Sequence, residues 1–159
     1  MDEEGNRQTS CKAVTGCSAG THIKAKATLK TNTVCDNCNV GFTWQNEEDQ
    51  MQCKSVSVCK AGTFASTAAT AVADIVCTPC ADETFQSEDG QSSCKPTQTC
   101  GPGTFIEAEP TPSSDRICKA CTQNSTFQPD GGKEECIALL DCLPGKYVSI
   151  TATLTTDRS

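Results

Sequence analysis

Cysteine is the residue type in this chain with the most chemistry to offer. Fourteen occur, at positions 11, 17, 35, 38, 53, 59, 77, 80, 94, 100, 118, 121, 136 and 142. Thiolates bind zinc, exchange disulfides or attack electrophiles, whereas paired cysteines cross-link the backbone. Spacing discriminates among these uses. Read as gaps, the cysteines follow C-x5-C-x17-C-x2-C-x14, with x13 in the second turn of the pattern, so that Cys11, Cys53, Cys94 and Cys136 stand 42, 41 and 42 residues apart. The C-x2-C pairs Cys35/Cys38, Cys77/Cys80 and Cys118/Cys121 invite a zinc-knuckle or thiol-redox reading. The x5 and x17 gaps, however, do not supply two knuckles at zinc-ribbon spacing, and the lone histidine, His22, has no histidine partner. Cys77-Thr-Pro-Cys80 lacks the βαβ setting of a redox motif. Three copies in phase with a repeat read as structure.

Other chemistry is sparse. Glu47, Glu48 and Asp49 cluster on an expected loop tip, but no alternating oxygen-ligand loop with its glycine surrounds them, so they read as solvated rather than as a calcium site. No G-x-S-x-G, phosphate-binding glycine loop or Cys/His dyad is present. Asn124-Ser125-Thr126 is an N-glycosylation acceptor sequence on a eukaryotic secretory route. The expectation is a protein that is not an enzyme, with no catalytic residue, metal or cofactor, and with Asn124 as a glycosylation site.

Composition says what must hold such a chain together. Its 159 residues include five Phe, one Trp, one Tyr and two Met. That is too little apolar surface to offset an ordering cost of roughly 1–2 kcal/mol per residue. Disulfides are the remedy available, and they place the folded chain outside the cell. The formal charge is −7, without a basic stripe, which argues against nucleic acid. The longest apolar stretch, Ala68 to Val76, is broken by Asp74 and is too short to span a membrane. Met1 is followed by Asp2, Glu3 and Glu4, unlike a signal peptide.

Other residues keep the cysteine register. Gly20, Gly62, Gly103 and Gly145 each lie three residues after a cysteine, where a tight turn needs glycine's freedom. Phe42, Trp44, Phe64, Phe85, Phe105, Phe127 and Tyr147 fall four to six residues after one. They predict a ring packed over each cystine as a miniature core, with His22 as a ring substitute in the same slot. Asn32, Asp74, Asp115 and Asp157 are spaced to set turns before the third cysteine of each unit. The β-branched Val34, Ile75, Val76 and Ile117 suit short strands, and Asp89-Gly90 and Asp130-Gly131 signal two-residue hairpins. A weak helical pattern over 65–73 is discounted. The predicted fold is small and disulfide-rich, mostly irregular with short β-hairpins, an elongated rod of tandem two-disulfide modules.

Four cysteines permit three connectivities, so spacing leaves the pairing open. Nearest-neighbour bridges Cys17–Cys35, Cys38–Cys53, Cys59–Cys77, Cys80–Cys94, Cys100–Cys118 and Cys121–Cys136 are preferred because each loop then holds its own ring and turn. Each such closure contributes roughly 3 kcal/mol in the chain-entropy model. Cys11 and Cys142 are left over, with expected partners before Met1 and just after Ser159, so the chain reads as an excerpt of a longer array. The expected divisions are a partial repeat at 1–37, repeats at 38–79 and 80–120, and a partial repeat at 121–159.

The stretches Cys-Lys-Ala-Gly-Thr-Phe from Cys59, Ala-Asp-Ile-Val-Cys-Thr-Pro-Cys to Cys80 and Cys-Gly-Pro-Gly-Thr-Phe from Cys100 resemble the cysteine-rich domains of tumour necrosis factor receptors. The resemblance implies elongated ectodomains with nearest-neighbour bridges, and it supports the pairing above. It transfers no ligand-contact residue. Uniform two-bridge units, and a second glycine motif kept at Val40-Gly41-Phe42 but lost at Ala81-Asp82-Glu83 and Gln123-Asn124-Ser125, depart from the family. The leading expectation is a non-enzymatic structural or adhesive segment of a large extracellular, filament-like protein, partnered by other proteins through neighbouring modules or lateral assembly. The alternative is a receptor ectodomain that binds a protein ligand through exposed loop tips. A thiol-redox or zinc protein is the remote third.

Overall fold

The computed structural model describes residues 11–159; the first ten residues of the expected 1–37 repeat, including the Met1–Glu4 start, lie outside the described residues. Twelve short strands form six separate two-stranded antiparallel hairpins, and no helix occurs among the described residues. Three hairpins are long: β1 (Thr21–Ala25) with β2 (Val34–Asn37), β5 (Thr63–Thr67) with β6 (Val76–Pro79), and β9 (Thr104–Ala108) with β10 (Ile117–Ala120). The other three are two residues a side: β3 (Thr43–Trp44) with β4 (Lys54–Ser55), β7 (Thr84–Phe85) with β8 (Lys95–Pro96), and β11 (Thr126–Phe127) with β12 (Ile137–Ala138). Hairpins of this size are marginal in water by themselves.

Covalent closure makes them persist. Bridges Cys17–Cys35, Cys59–Cys77 and Cys100–Cys118 close loops with a sequence separation of 18. Bridges Cys38–Cys53, Cys80–Cys94 and Cys121–Cys136 close the shorter loops, with separations of 15, 14 and 15. Cys11 and Cys142 are free and exposed. The chain divides into two compact units, Met1–Ser57 with Ala68–Ile75, and Val58–Thr67 with Val76–Ser159. The tip of the β5–β6 hairpin thus belongs to the first unit.

The expected ring cores are not what is buried. Phe42 is 71% and Tyr147 83% exposed, and Trp44, Phe64, Phe85, Phe105, Phe127 and His22 are only half-buried. The fully enclosed side chains are Cys17, Cys38, Cys59, Cys100 and Cys121 together with Gln45, Gln86 and Gln128. Loops this short can enclose a cystine and one polar side chain that satisfies backbone, but not a whole ring. Each glutamine does the same work. Its Nε2 donates to the carbonyl seven residues on (Gln52, Ser93 and Glu135, at 2.9, 2.8 and 2.8 Å). Its Oε1 accepts the N–H two residues on (Glu47, Glu88 and Asp130, at 3.2 Å each). A buried amide with both ends bonded stabilises, whereas an unpaired one costs. By contrast, Trp44 Nε1 is buried without a partner among the described residues, while its ring takes the Lys54 ammonium at 4.9 Å.

The same glutamines join successive loops through their backbone. Their N–H groups donate to the hairpin-tip carbonyls of Ala71, Pro112 and Leu154 at 2.9 Å. Their carbonyls accept the N–H groups of Gly20, Gly62 and Gly103 at 2.7 Å. Those glycines have φ of +85°, +86° and +80°, a region L-residues enter at a cost. A Cβ on them would lie 3.2 Å from Val72, 3.4 Å from Pro112 and 3.2 Å from Leu154 respectively. Glycine is therefore required twice, for the turn and as a ledge for the next hairpin tip. The tips are bent by Thr28, Thr70, Thr111 and Thr153, whose N–H groups donate to Thr31, Ala73, Ser114 and Thr156, with the hydroxyls taking N–H groups of the returning chain.

Three further expectations change. Asp89-Gly90 and Asp130-Gly131 do not form two-residue hairpins: the turns between β7 and β8 and between β11 and β12 are wide, and Gly132 rather than Gly131 is left-handed, at φ +69°. Gly131 instead lies where a Cβ would meet the Cys100 carbonyl at 2.8 Å. The second glycine motif is lost in residue type but kept in backbone, since Gly41, Glu83 and Asn124 have φ of +88°, +58° and +65°. Asp49 is not merely a solvated loop carboxylate, because it accepts the Cys17 N–H at 2.6 Å.

Two substitutions test this architecture. Gln86→Ala leaves the Ser93 carbonyl and Glu88 N–H unpaired and should lower unfolding free energy by about 2–3 kcal/mol, read from denaturant titration. Gly62→Ala should cost about 1–2 kcal/mol for the left-handed backbone alone, with hydrogen exchange rising first around Pro112 and sparing the β1–β2 hairpin.

Candidate functional site

The aspartates expected before the third cysteines reach further than their own turns. Asp74, Asp115 and Asp157 each accept the N–H of the next residue (2.8, 2.7 and 2.7 Å). Each also takes the N–H seventeen residues earlier, Ser57, Gln98 and Leu140, at 2.9, 2.8 and 3.2 Å. Asn32 does the same to Thr33 and Thr15. One carboxylate thereby ties the base of a hairpin to the strand that enters it. The Ser57 hydroxyl, bonding at 2.6 Å, and then the Ser57 N–H hold the Asp74 carboxyl below its ordinary value of 3.8. Asp89 is lowered by Lys60 at 2.9 Å and by the Ala61 N–H, and Asp36 by Lys24 at 2.9 Å.

The most developed polar cluster lies in the second unit. A groove of about 380 Å³ is lined by residues 80–84 on one side and 109–112 on the other. Arg116, whose side chain is 11% exposed, ion-pairs with one of the groove's lining carboxylates, Glu83. Its guanidinium donates to both Glu83 oxygens at 3.1 and 3.0 Å, to Glu109 at 3.3 Å and to the Gln98 carbonyl at 2.8 Å. Planar forks of this kind are well suited to bidentate carboxylates. The Arg116 hydrogen bond, then that of Thr97, lowers the Glu83 carboxyl, and Glu83 in turn raises Arg116. Asp82 adds a carboxylate to the rim, while Pro110 and Pro112 supply rigid apolar walls. Of the groove's two hydroxyls, Thr84 is bonded to the Ala81 carbonyl and Thr111 to the Ser114 hydroxyl, each at 2.7 Å.

The twelve bridged cysteines form six cystines and offer no free thiol. His22 Nδ1 sits 3.4 Å from Cys53 Sγ, and a ring nitrogen of His22 is within 4.8 Å of Cys38 Sγ, but those two sulfurs are bonded to each other and offer no thiolate. Asn124 is exposed on a turn. Sequence reasoning passed over Gln45, Gln86 and Gln128 although each directly follows Trp44, Phe85 or Phe127. It also passed over the four tip threonines, which share one register. The Glu83–Arg116 pair, 33 residues apart, carries no local signal.

Protonation should loosen these ties. Because Asp74 and Glu83 titrate below their ordinary 3.8 and 4.5 in the folded chain, their stabilisation is complete above those values and is lost as pH falls through the lowered folded-state ones. Acidification from neutral pH into that range should raise hydrogen exchange at Ser57 and in the 109–116 tip. Asp74→Asn should flatten the response at Ser57 only.

These features define a class: an extracellular, tandem array of small two-disulfide hairpin modules, covalently closed in an oxidising compartment. Residues 80–118, which include the groove, match the family model of the TNFR/NGFR cysteine-rich region. No curated protein matches the chain. Among solved structures, a human RANKL/OPG complex is similar at 23% identity and TM-score 0.38, over 92% of this chain and 88% of that one. A mouse RANKL-OPG complex is similar at 22% identity and TM-score 0.39, over 78% and 90%. No helix among the described residues is long and apolar enough to cross a membrane.

Proposed function

We propose that this chain is a ligand-binding stretch of a tumour necrosis factor receptor-like ectodomain, non-enzymatic, and that the 80–84/109–112 groove takes part of a protein ligand. The observation that carries the reading is the coincidence of the family match at 80–118 with a groove that combines acidic residues with proline walls. A nearly buried arginine holds two of its carboxylates in place, and preorganised charge of this kind favours specificity and association rate. The net charge of −7 suits a ligand with a basic contact face. Uniform two-bridge loops with identical tip-on-ledge contacts support a second reading, a structural or adhesive segment.

Titrating the immobilised, disulfide-intact chain with soluble trimeric ligands of the tumour necrosis factor type should give saturable binding. Asp82→Lys, which spares the Arg116 ties, should weaken that binding about tenfold, about 1.4 kcal/mol. Absence of binding to every such trimer, with concentration-dependent self-association by sedimentation, would favour the structural reading instead.

A further inference from the structure

In the third short loop the turn after the first cysteine leaves a polar side chain facing solvent. Gly41, Glu83 and Asn124 occupy equivalent left-handed turns, at φ +88°, +58° and +65°. The position is open: a Cβ at Gly41 would have nothing within 4 Å, and the Glu83 side chain is 70% exposed even while ion-paired. In the second loop this outward side chain is a carboxylate that reaches Arg116 on the neighbouring hairpin. In the third, Arg158 stands at the Arg116 register but is paired elsewhere, with Asp141 at 2.9 Å and with the Leu140 carbonyl. Asn124 is therefore not required to hold that hairpin down. Asparagine is also among the few residues other than glycine that readily adopt left-handed backbone.

The sequon geometry is local. The Ser125 and Thr126 N–H groups both donate to the Thr122 carbonyl, at 3.1 and 2.9 Å, and the Thr126 hydroxyl accepts the Thr122 N–H at 2.9 Å. Asn124 and Ser125 thus lie exposed on the outer edge of a turn, with Thr126 opening β11. Beside it runs a shallow groove of about 250 Å³, lined by Asn124, Leu139, Val148, Thr151, Ala152 and Arg158. Val148 is 39% exposed there. A sugar ring has apolar faces and many hydroxyls, which suits a surface of this mixed character.

We infer that Asn124 is an N-glycan acceptor and that its proximal sugars lie over the Leu139/Val148 groove. In the transfer, Asn124 Nδ2 loses a proton and bonds to the anomeric carbon of an oligosaccharide carried on a lipid pyrophosphate. The bond from that carbon to the pyrophosphate oxygen breaks, and the lipid pyrophosphate leaves. No oxidant or reductant is needed, and the asparagine side chain remains an amide. The modification would keep the Leu139/Val148 face from packing against other proteins, in contrast to the uncovered groove at 80–84 and 109–112.

The full chain, secreted from a eukaryotic host behind an export signal, provides the test. Peptide-N-glycosidase should increase its electrophoretic mobility and convert Asn124 to Asp in the tryptic peptide Ala120–Lys133, read by mass spectrometry. Asn124→Asp, which keeps the turn preference and side-chain size, and Thr126→Ala should each abolish the mobility shift, while Thr126→Ser retains it. Secreted, fully oxidised wild-type chain whose Ala120–Lys133 peptide carries unmodified Asn124 as its dominant form would overturn the assignment, whatever the variants do.

Discussion

Loop closure by disulfides is the constraint on which everything else in this molecule rests. A chain with seven aromatic residues has no apolar interior to collapse around, and the enclosed side chains are cysteines and glutamines. Six bridges, each closing fewer than twenty residues, remove unfolded-state entropy on the scale of roughly 3 kcal/mol apiece. That stabilisation lets two-residue strand pairs and solvent-exposed turns persist where hydrophobic burial could not support them. It also leaves the surface free to vary, because few outward side chains are needed for folding.

Within that covalent frame a second, polar layer of order is repeated with little change. A buried glutamine staples its own short loop with its side chain and meets a glycine ledge and a hairpin tip with its backbone. An aspartate, or Asn32 in the first, ties the base of each long hairpin to the segment that enters it. Neither device buries much apolar area. Both work by pairing backbone groups that would otherwise be left unsatisfied near the cystines, where a lost partner is costly. The turn that once used glycine at position 41 tolerates Glu83 and Asn124 because its outer side is open, and those two residues then take up different tasks at the surface.

The groove at 80–84 and 109–112 shows how a distinct surface can be written over such a scaffold. Its walls are parts of the repeat, the start of a short loop and the tip of a hairpin. Its character comes from residues the repeat does not specify. Arg116 is held by carboxylates that stand seven residues before it and 33 residues before it in sequence, and it gives this junction a fixed electrostatic pattern. The neighbouring junction, with Asn124 and Arg158, lacks that pair and has a more apolar rim. Two nearly identical backbones thus present different surfaces.

The cysteine rhythm, the scarcity of apolar residues and the in-register glycines determined the fold class from the sequence alone, because covalent spacing and backbone conformation are local properties that composition and position record directly. The extracellular setting followed from the same cysteines. What the residues enclose did not follow. Aromatic rings were expected inside, yet Phe42 and Tyr147 lie in solvent and Gln45, Gln86 and Gln128 are buried, since burial depends on which loops converge and how much volume they leave. Asp89-Gly90 and Asp130-Gly131 read as tight hairpins, but the wide loops are shaped by contacts to the Cys59 and Cys100 carbonyls made by Gly90 and Gly132. The groove and its Glu83–Arg116 pair belong wholly to tertiary structure. They arise from residues distant in the chain, brought together when one hairpin tip settles on the glycine ledge of the loop before it.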